Sequence, residues 1–130
     1  MEFPRPTDAD REFFALLIPD DPGVVVKPMF GNLGAFVNGT MFASLLGSDV
    51  GVRLSAEDLA ELAGVPGSGD FGPGEKGIRG YLALPPEWRR HPKLAAAWVE
   101  RARAYVATLP SKNDRAIRQG GDVSSRRSDQ

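Results

Sequence analysis

His91 is the only histidine in this sequence, and there is no cysteine. A Ser–His–Asp relay needs a histidine between a nucleophile and an orienting carboxylate. Ser44, Ser48, Ser55 and Ser68 are the serines that could serve, and none sits on a strand–turn–helix elbow. His91 precedes Pro92 at a helix start, where it suits capping or solvation better than proton transfer. The lack of cysteine excludes a thiol nucleophile, a thiolate metal site and a disulfide framework. One histidine with scattered carboxylates is a poor metal-ligand set. Asp20-Asp21 and Glu57-Asp58-Glu61 fall where a turn and a helix start use acidic residues. No acid–base pair is left over, so the expectation is a non-enzymatic protein with no cofactor.

Phosphate chemistry is the second candidate. Gly67-x-Gly69-x-x-Gly72 and Gly72-x-Gly74-x-x-Gly77 both match a dinucleotide-loop spacing. That loop must follow a strand and open a helix, so that amides and the helix dipole meet pyrophosphate. Here a helix precedes and a strand follows, which removes the reading. Charge is unevenly spread. Met1 to Glu75 holds four basic and twelve acidic residues, whereas Lys76 to Gln130 holds twelve basic and five acidic. The basic third could contact nucleic acid without sequence preference. Trp98 and Tyr105 fall on the apolar stripe of their helix, which leaves Arg101, Arg103, Lys112, Arg115 and Arg118 as the phosphate candidates.

The elements that must position these residues follow from punctuation and periodicity. Thr7 or Asp8 caps a first helix whose apolar face is Phe13, Phe14, Leu16, Leu17 and Ile18, stopped by Pro19 to Gly23. Val24 to Phe30 is a β-branched strand, and Pro28 within it demands an edge or a bulge. Gly31 to Gly34 reads as a turn. Strands Ala35 to Val37 and Thr40 to Leu46 flank Asn38-Gly39, the strongest short hairpin signal. Val50 to Leu54 follows as a strand, Ser55 opens a second helix, and Pro66 to Gly80 is a Gly-rich connection. Tyr81 to Leu84 is a last strand. Pro92 starts a helix with Leu94, Ala95, Trp98, Ala102, Tyr105, Val106 and Leu109 on one face.

The predicted architecture is α+β: a two-layer, mainly antiparallel five-stranded sheet, with helices packed on one face and the order α-β-β-β-β-α-β-α. Residues 1–109 form the domain, and 110–130 read as a disordered polar and basic tail. A two-residue loop at Asn38-Gly39 sets Phe36 opposite Met41 and Ala35 opposite Phe42, so both sheet faces carry apolar groups. The face without helices is covered either by a second copy of the chain or by the 66–80 connection or first helix. No run approaches the length of a membrane span, and the acidic N-terminus lacks the pattern of an export signal. The expectation is a cytoplasmic protein with no membrane partner.

Met29-Phe30-Gly31, Asn38-Gly39, Met41-Phe42-Ala43, Val52-Arg53-Leu54, and Gly77, Tyr81 and Leu84-Pro85 before a Trp- and Ala-rich helix occur in this order. As a set they resemble the N-terminal domain of the TfoX/Sxy competence regulators, over roughly residues 10–109. The resemblance implies a two-layer α+β unit, similar in fold to secretion-chaperone-like dimers, with no catalytic residues. Full-length members carry a second, C-terminal helical domain and act with a cyclic-AMP-responsive activator on DNA-uptake genes; residues 110–130 here read only as a tail. The implied function is regulatory, through a protein partner such as transcription machinery, with homodimerisation a further expectation. Met29, Phe30 and Gly31, with Lys76 and Arg79 in the second Gly-flanked loop, are the candidate interaction residues. The alternative is the sequence-independent nucleic-acid contact described above.

Overall fold

The computed structural model describes residues 4–72 and 77–110. Among these the order is α1 (Asp8–Leu17), β1 (Val24–Met29), β2 (Asn32–Val37), β3 (Thr40–Leu46), β4 (Asp49–Arg53), α2 (Ala56–Ala63), β5 (Gly69–Asp70), β6 (Tyr81–Ala83), a 3-10 turn (Pro86–Arg90) and α3 (Pro92–Ala107). The sheet has six strands in the order β1-β2-β3-β4-β6-β5, and every neighbouring pair is antiparallel. The architecture is α+β, as the sequence predicts. The additional strand is β5, two residues inside the Gly-rich connection, paired with β6.

Local chemistry explains the boundaries. Thr7 caps α1 reciprocally: its hydroxyl accepts from the Asp10 amide at 3.1 Å, and the Asp10 carboxylate accepts from the Thr7 amide at 2.8 Å. Ser55 caps α2 by accepting from the Asp58 amide. Pro92 occupies the first turn of α3, where a missing amide costs nothing. The turn expected over Gly31 to Gly34 is tighter than predicted. It consists of Phe30-Gly31, and Asn32 already pairs with Met29 as the first residue of β2.

The register places Phe36 opposite Met41, as predicted, but Ala35 opposite Ala43 rather than Phe42. A bulge in β3 takes up the extra residue, and Phe42 becomes fully buried. On one sheet face Ala35, Val37, Ala43, Leu45, Val50 and Val52 meet Phe14 and Leu17 of α1, Leu62 of α2, and Ala95, Trp98, Val99, Ala102 and Val106 of α3. This is the main core. The 3-10 turn adds Trp88, whose ring lies 6.3 Å from that of Trp98.

On the opposite face, Phe71 covers part of the sheet. Phe71, 1% exposed, lies over Gly51 of β4, and its ring is stacked 6.1 Å from Tyr81. A Cβ on Gly51 would stand 2.3 Å from the Phe71 ring, so only glycine permits this approach. The Tyr81 hydroxyl donates to the Met41 carbonyl at 2.9 Å, and burial pushes its pKa up to about 12. Further along the same face, Met29, Phe36 and Met41 gather over Gly34.

Candidate functional site: the β1–β2 hairpin tip

The two hairpin loops of β1–β2 and β2–β3 have almost the same backbone. Phe30 and Gly31 have φ of 52° and 81°; Asn38 and Gly39 have 53° and 79°. Both are two-residue turns with positive φ at each position, the geometry that matches the twist of the flanking strands. Asparagine and glycine tolerate it. Phenylalanine does so only against a steric penalty between its Cβ and the following carbonyl. Phe30 is also 70% exposed. The tip thus holds a large apolar ring outward on a backbone that an aromatic residue disfavours.

Asn32 fixes the base of this tip. It is buried, its amide nitrogen donates to the Pro4 carbonyl at 2.8 Å, and its Oδ1 accepts from the Gly47 amide at 2.8 Å. One side chain therefore ties the segment before α1, the β1–β2 hairpin and the β3–β4 turn together. The sequence pattern places Asn32 in a turn; in the structure it opens β2, because Phe30-Gly31 already supplies a complete two-residue loop.

β1 is a sheet edge. With Met29 and Asn32 as the closing hydrogen-bonded pair, pairs alternate along the hairpin, so Val24, Val26 and Pro28 direct their backbone outward. Pro28 has no amide hydrogen, and the Val24 amide donates to the Asp21 carbonyl at 2.9 Å. Val26 alone offers an outward amide. Lys27 places its ammonium 5.1 Å from the Phe36 ring centre. Such an edge resists strand addition.

The other candidate residues divide between the tip and distant positions. Met29 is half-buried beside the tip, and Gly31 forms the turn. Arg79 is exposed in the turn before β6. Tyr81 pairs with Arg53 at the end of the sheet opposite Phe30, so Arg79 and the tip do not form one site. Lys76 lies outside the described residues, as do Lys112, Arg115 and Arg118. Arg101 stacks 4.1 Å from the Trp98 ring centre and pairs with Glu61 at 3.2 Å and Asp58 at 3.6 Å. Arg103 grips Glu100 through two hydrogen bonds, 2.8 and 2.6 Å, which hold the Glu100 carboxyl below its usual range. The two phosphate candidates among the described residues, Arg101 and Arg103, thus already face carboxylates.

Among the described residues no group of three or more His, Asp or Glu side chains could hold a metal ion. No helix among them is long and apolar enough to cross a membrane.

The family model described as the TfoX N-terminal domain matches residues 16–105, from the last turn of α1 to the last turn of α3. The chain belongs to the TfoX N-terminal domain family. The match spans the hairpin tip, the Phe71 covering and the whole sheet of this TfoX N-terminal domain. No curated protein and no solved structure matches it.

Proposed function

We propose that this TfoX N-terminal domain is a small, non-enzymatic regulatory module of the cytoplasm that binds a protein partner through the β1–β2 hairpin tip, with Phe30 as the anchor. The supporting observation is the contrast between the two hairpins. Where stability alone governs, the left-handed position is Asn38; at the tip it is an exposed aromatic ring. Strained, exposed apolar residues of this kind point to recognition. The blunted β1 edge favours a partner that accepts the ring in an apolar pocket over one that extends the sheet. The family points to transcription machinery as the first place to seek that partner.

Phe30→Asn tests the reading because it copies the Asn38-Gly39 turn. It should raise stability by about 1 kcal/mol, through relief of the left-handed backbone penalty. It should also abolish retention of a partner that the unaltered protein retains. Equal retention by both proteins removes the tip from the account. The nucleic-acid alternative predicts duplex binding that weakens steeply with salt. The carboxylates already facing Arg101 and Arg103 make the protein-binding reading the stronger one.

A further inference from the structure

A half-open cleft of about 110 Å³ lies where α1, the β3–β4 turn and the 3-10 turn meet. Phe13, Val50 and Trp88 supply its apolar walls, and Ser48, Asp49 and Arg89 stand on its rim. It opens on the helix-covered side, at the end of the sheet that also carries the hairpin tip.

Arg89 is held in place before any ligand arrives. Its Nη1 is 2.9 Å from Asp10, a carboxylate that is itself buried and fixed by the Thr7 capping box. Its guanidinium also lies 4.8 Å from the Phe13 ring centre. The Thr7 amide, ahead of Arg89, keeps the Asp10 carboxyl below its usual range, so this ion pair persists under mild acid. The other Arg89 nitrogens have no acceptor among the described residues. Among the described residues, neither Ser48 nor Asp49 makes a side-chain hydrogen bond or ion pair. Three polar groups of different character therefore ring one small apolar hollow: a guanidinium, a carboxylate and a hydroxyl.

We propose that this cleft binds a branched aliphatic amino acid as its zwitterion. The alkyl side chain fills the hollow against Val50 and Trp88. The α-carboxylate meets the unused donors of Arg89, and the α-ammonium meets Asp49. Size argues for this class: a dry apolar cavity of about 150 Å³ takes one benzene ring, so the present hollow suits a branched alkyl group rather than a fused ring system. Hydrogen-bonding character argues for it too. Arg89 keeps donors beyond its pair with Asp10, and Asp49 offers a carboxylate, so a simple anion leaves Asp49 unmet and a simple cation leaves those donors unmet. A ligand carrying both charges meets both groups.

The test is an amide-resolved NMR titration of the full chain with L-leucine, with glycine, 4-methylpentanoate and isoamylamine as comparison probes. Leucine should shift the Ser48 to Val50 amides and the Trp88 indole saturably, with a dissociation constant of about 1 mM or below. Each comparison probe lacks one of the three contacts and should bind at least about tenfold more weakly. Asp49 is exposed, so Asp49→Asn leaves the fold intact and should weaken leucine about tenfold. Absence of localised shifts at about 10 mM leucine overturns the proposal. So does 4-methylpentanoate binding as tightly as leucine, or an unchanged response in Asp49→Asn. None of these outcomes bears on Phe30, whose role stands or falls with partner retention.

Discussion

On one face of the sheet, side chains from three helices interlock with inward residues of β2, β3 and β4. On the other, Phe71 reaches back over Gly51 from a Gly-rich connection and meets Tyr81. The first closure is distributed, so its loss is a loss of the fold. The second hinges on one ring, one missing Cβ and one phenol. A buried phenylalanine in either place removes similar apolar area from water, but the surroundings differ in how far they can readjust.

Replacing Phe14, fully buried among α1, α3 and the sheet, by alanine should cost about 4 kcal/mol in chemical denaturation, with all probes changing together. Phe71→Ala should cost less, about 3 kcal/mol. Its signature should be local: the Tyr81 pKa should fall from about 12 towards its ordinary 10.0 in an ultraviolet titration. The sign follows from linkage. Neutral Tyr81 favours the native protein fully below pH 10.0, and that contribution is lost as pH rises through about 12. If Phe71→Ala melts like Phe14→Ala with no shift of Tyr81, the two faces form one cooperative core and the contrast fails.

Gly51→Ala sharpens the comparison further. Its Cβ would meet the Phe71 ring at 2.3 Å, and the clash should cost about 2 kcal/mol. In a Phe71→Ala background most of that cost should vanish, because the clash has no second partner. Additive costs would mean that Gly51 serves its own strand rather than the ring.

Much of the helix-covered face is legible in the sequence. Asn38-Gly39 announces its hairpin, Thr7 and Ser55 announce their helices, and the α3 stripe from Ala95 to Val106 follows from spacing. These are local rules with local partners. The other face depends on contacts between Phe71 and Gly51, twenty positions apart, inside a stretch whose composition reads only as a connection. A two-residue strand such as β5 carries no periodicity. The bulge at Phe42, which joins the buried core, leaves no mark in the local sequence of its hairpin. The candidate site divides in the same way. The strain at Phe30 can be read by comparing Phe30-Gly31 with Asn38-Gly39, whereas the pairing of Arg101 with Asp58 and Glu61 requires α2 and α3 to be side by side.

The smaller effects probe the main core and its margin. The Thr40 hydroxyl is buried beside Val37 and makes no hydrogen bond among the described residues. Thr40→Val keeps the shape and should stabilise the protein by about 1 kcal/mol, measured by the denaturation midpoint. At the margin, the lowered pKa of Asp10 contributes stability present above its unfolded value of 3.8. That contribution should fade as pH falls through the lower native value, and Asp10→Asn should flatten the acid limb of the stability profile.

Asn32 gives the molecule a mechanical link between surfaces that look separate. Phe30 lies two residues before it, and the Gly47 amide that its Oδ1 holds lies one residue before Ser48, on the rim of the Arg89 cleft. The same buried carboxamide therefore bonds to the segments on both sides. The base of the hairpin and the turn that carries the rim thus share one clasp, the carboxamide of a single asparagine.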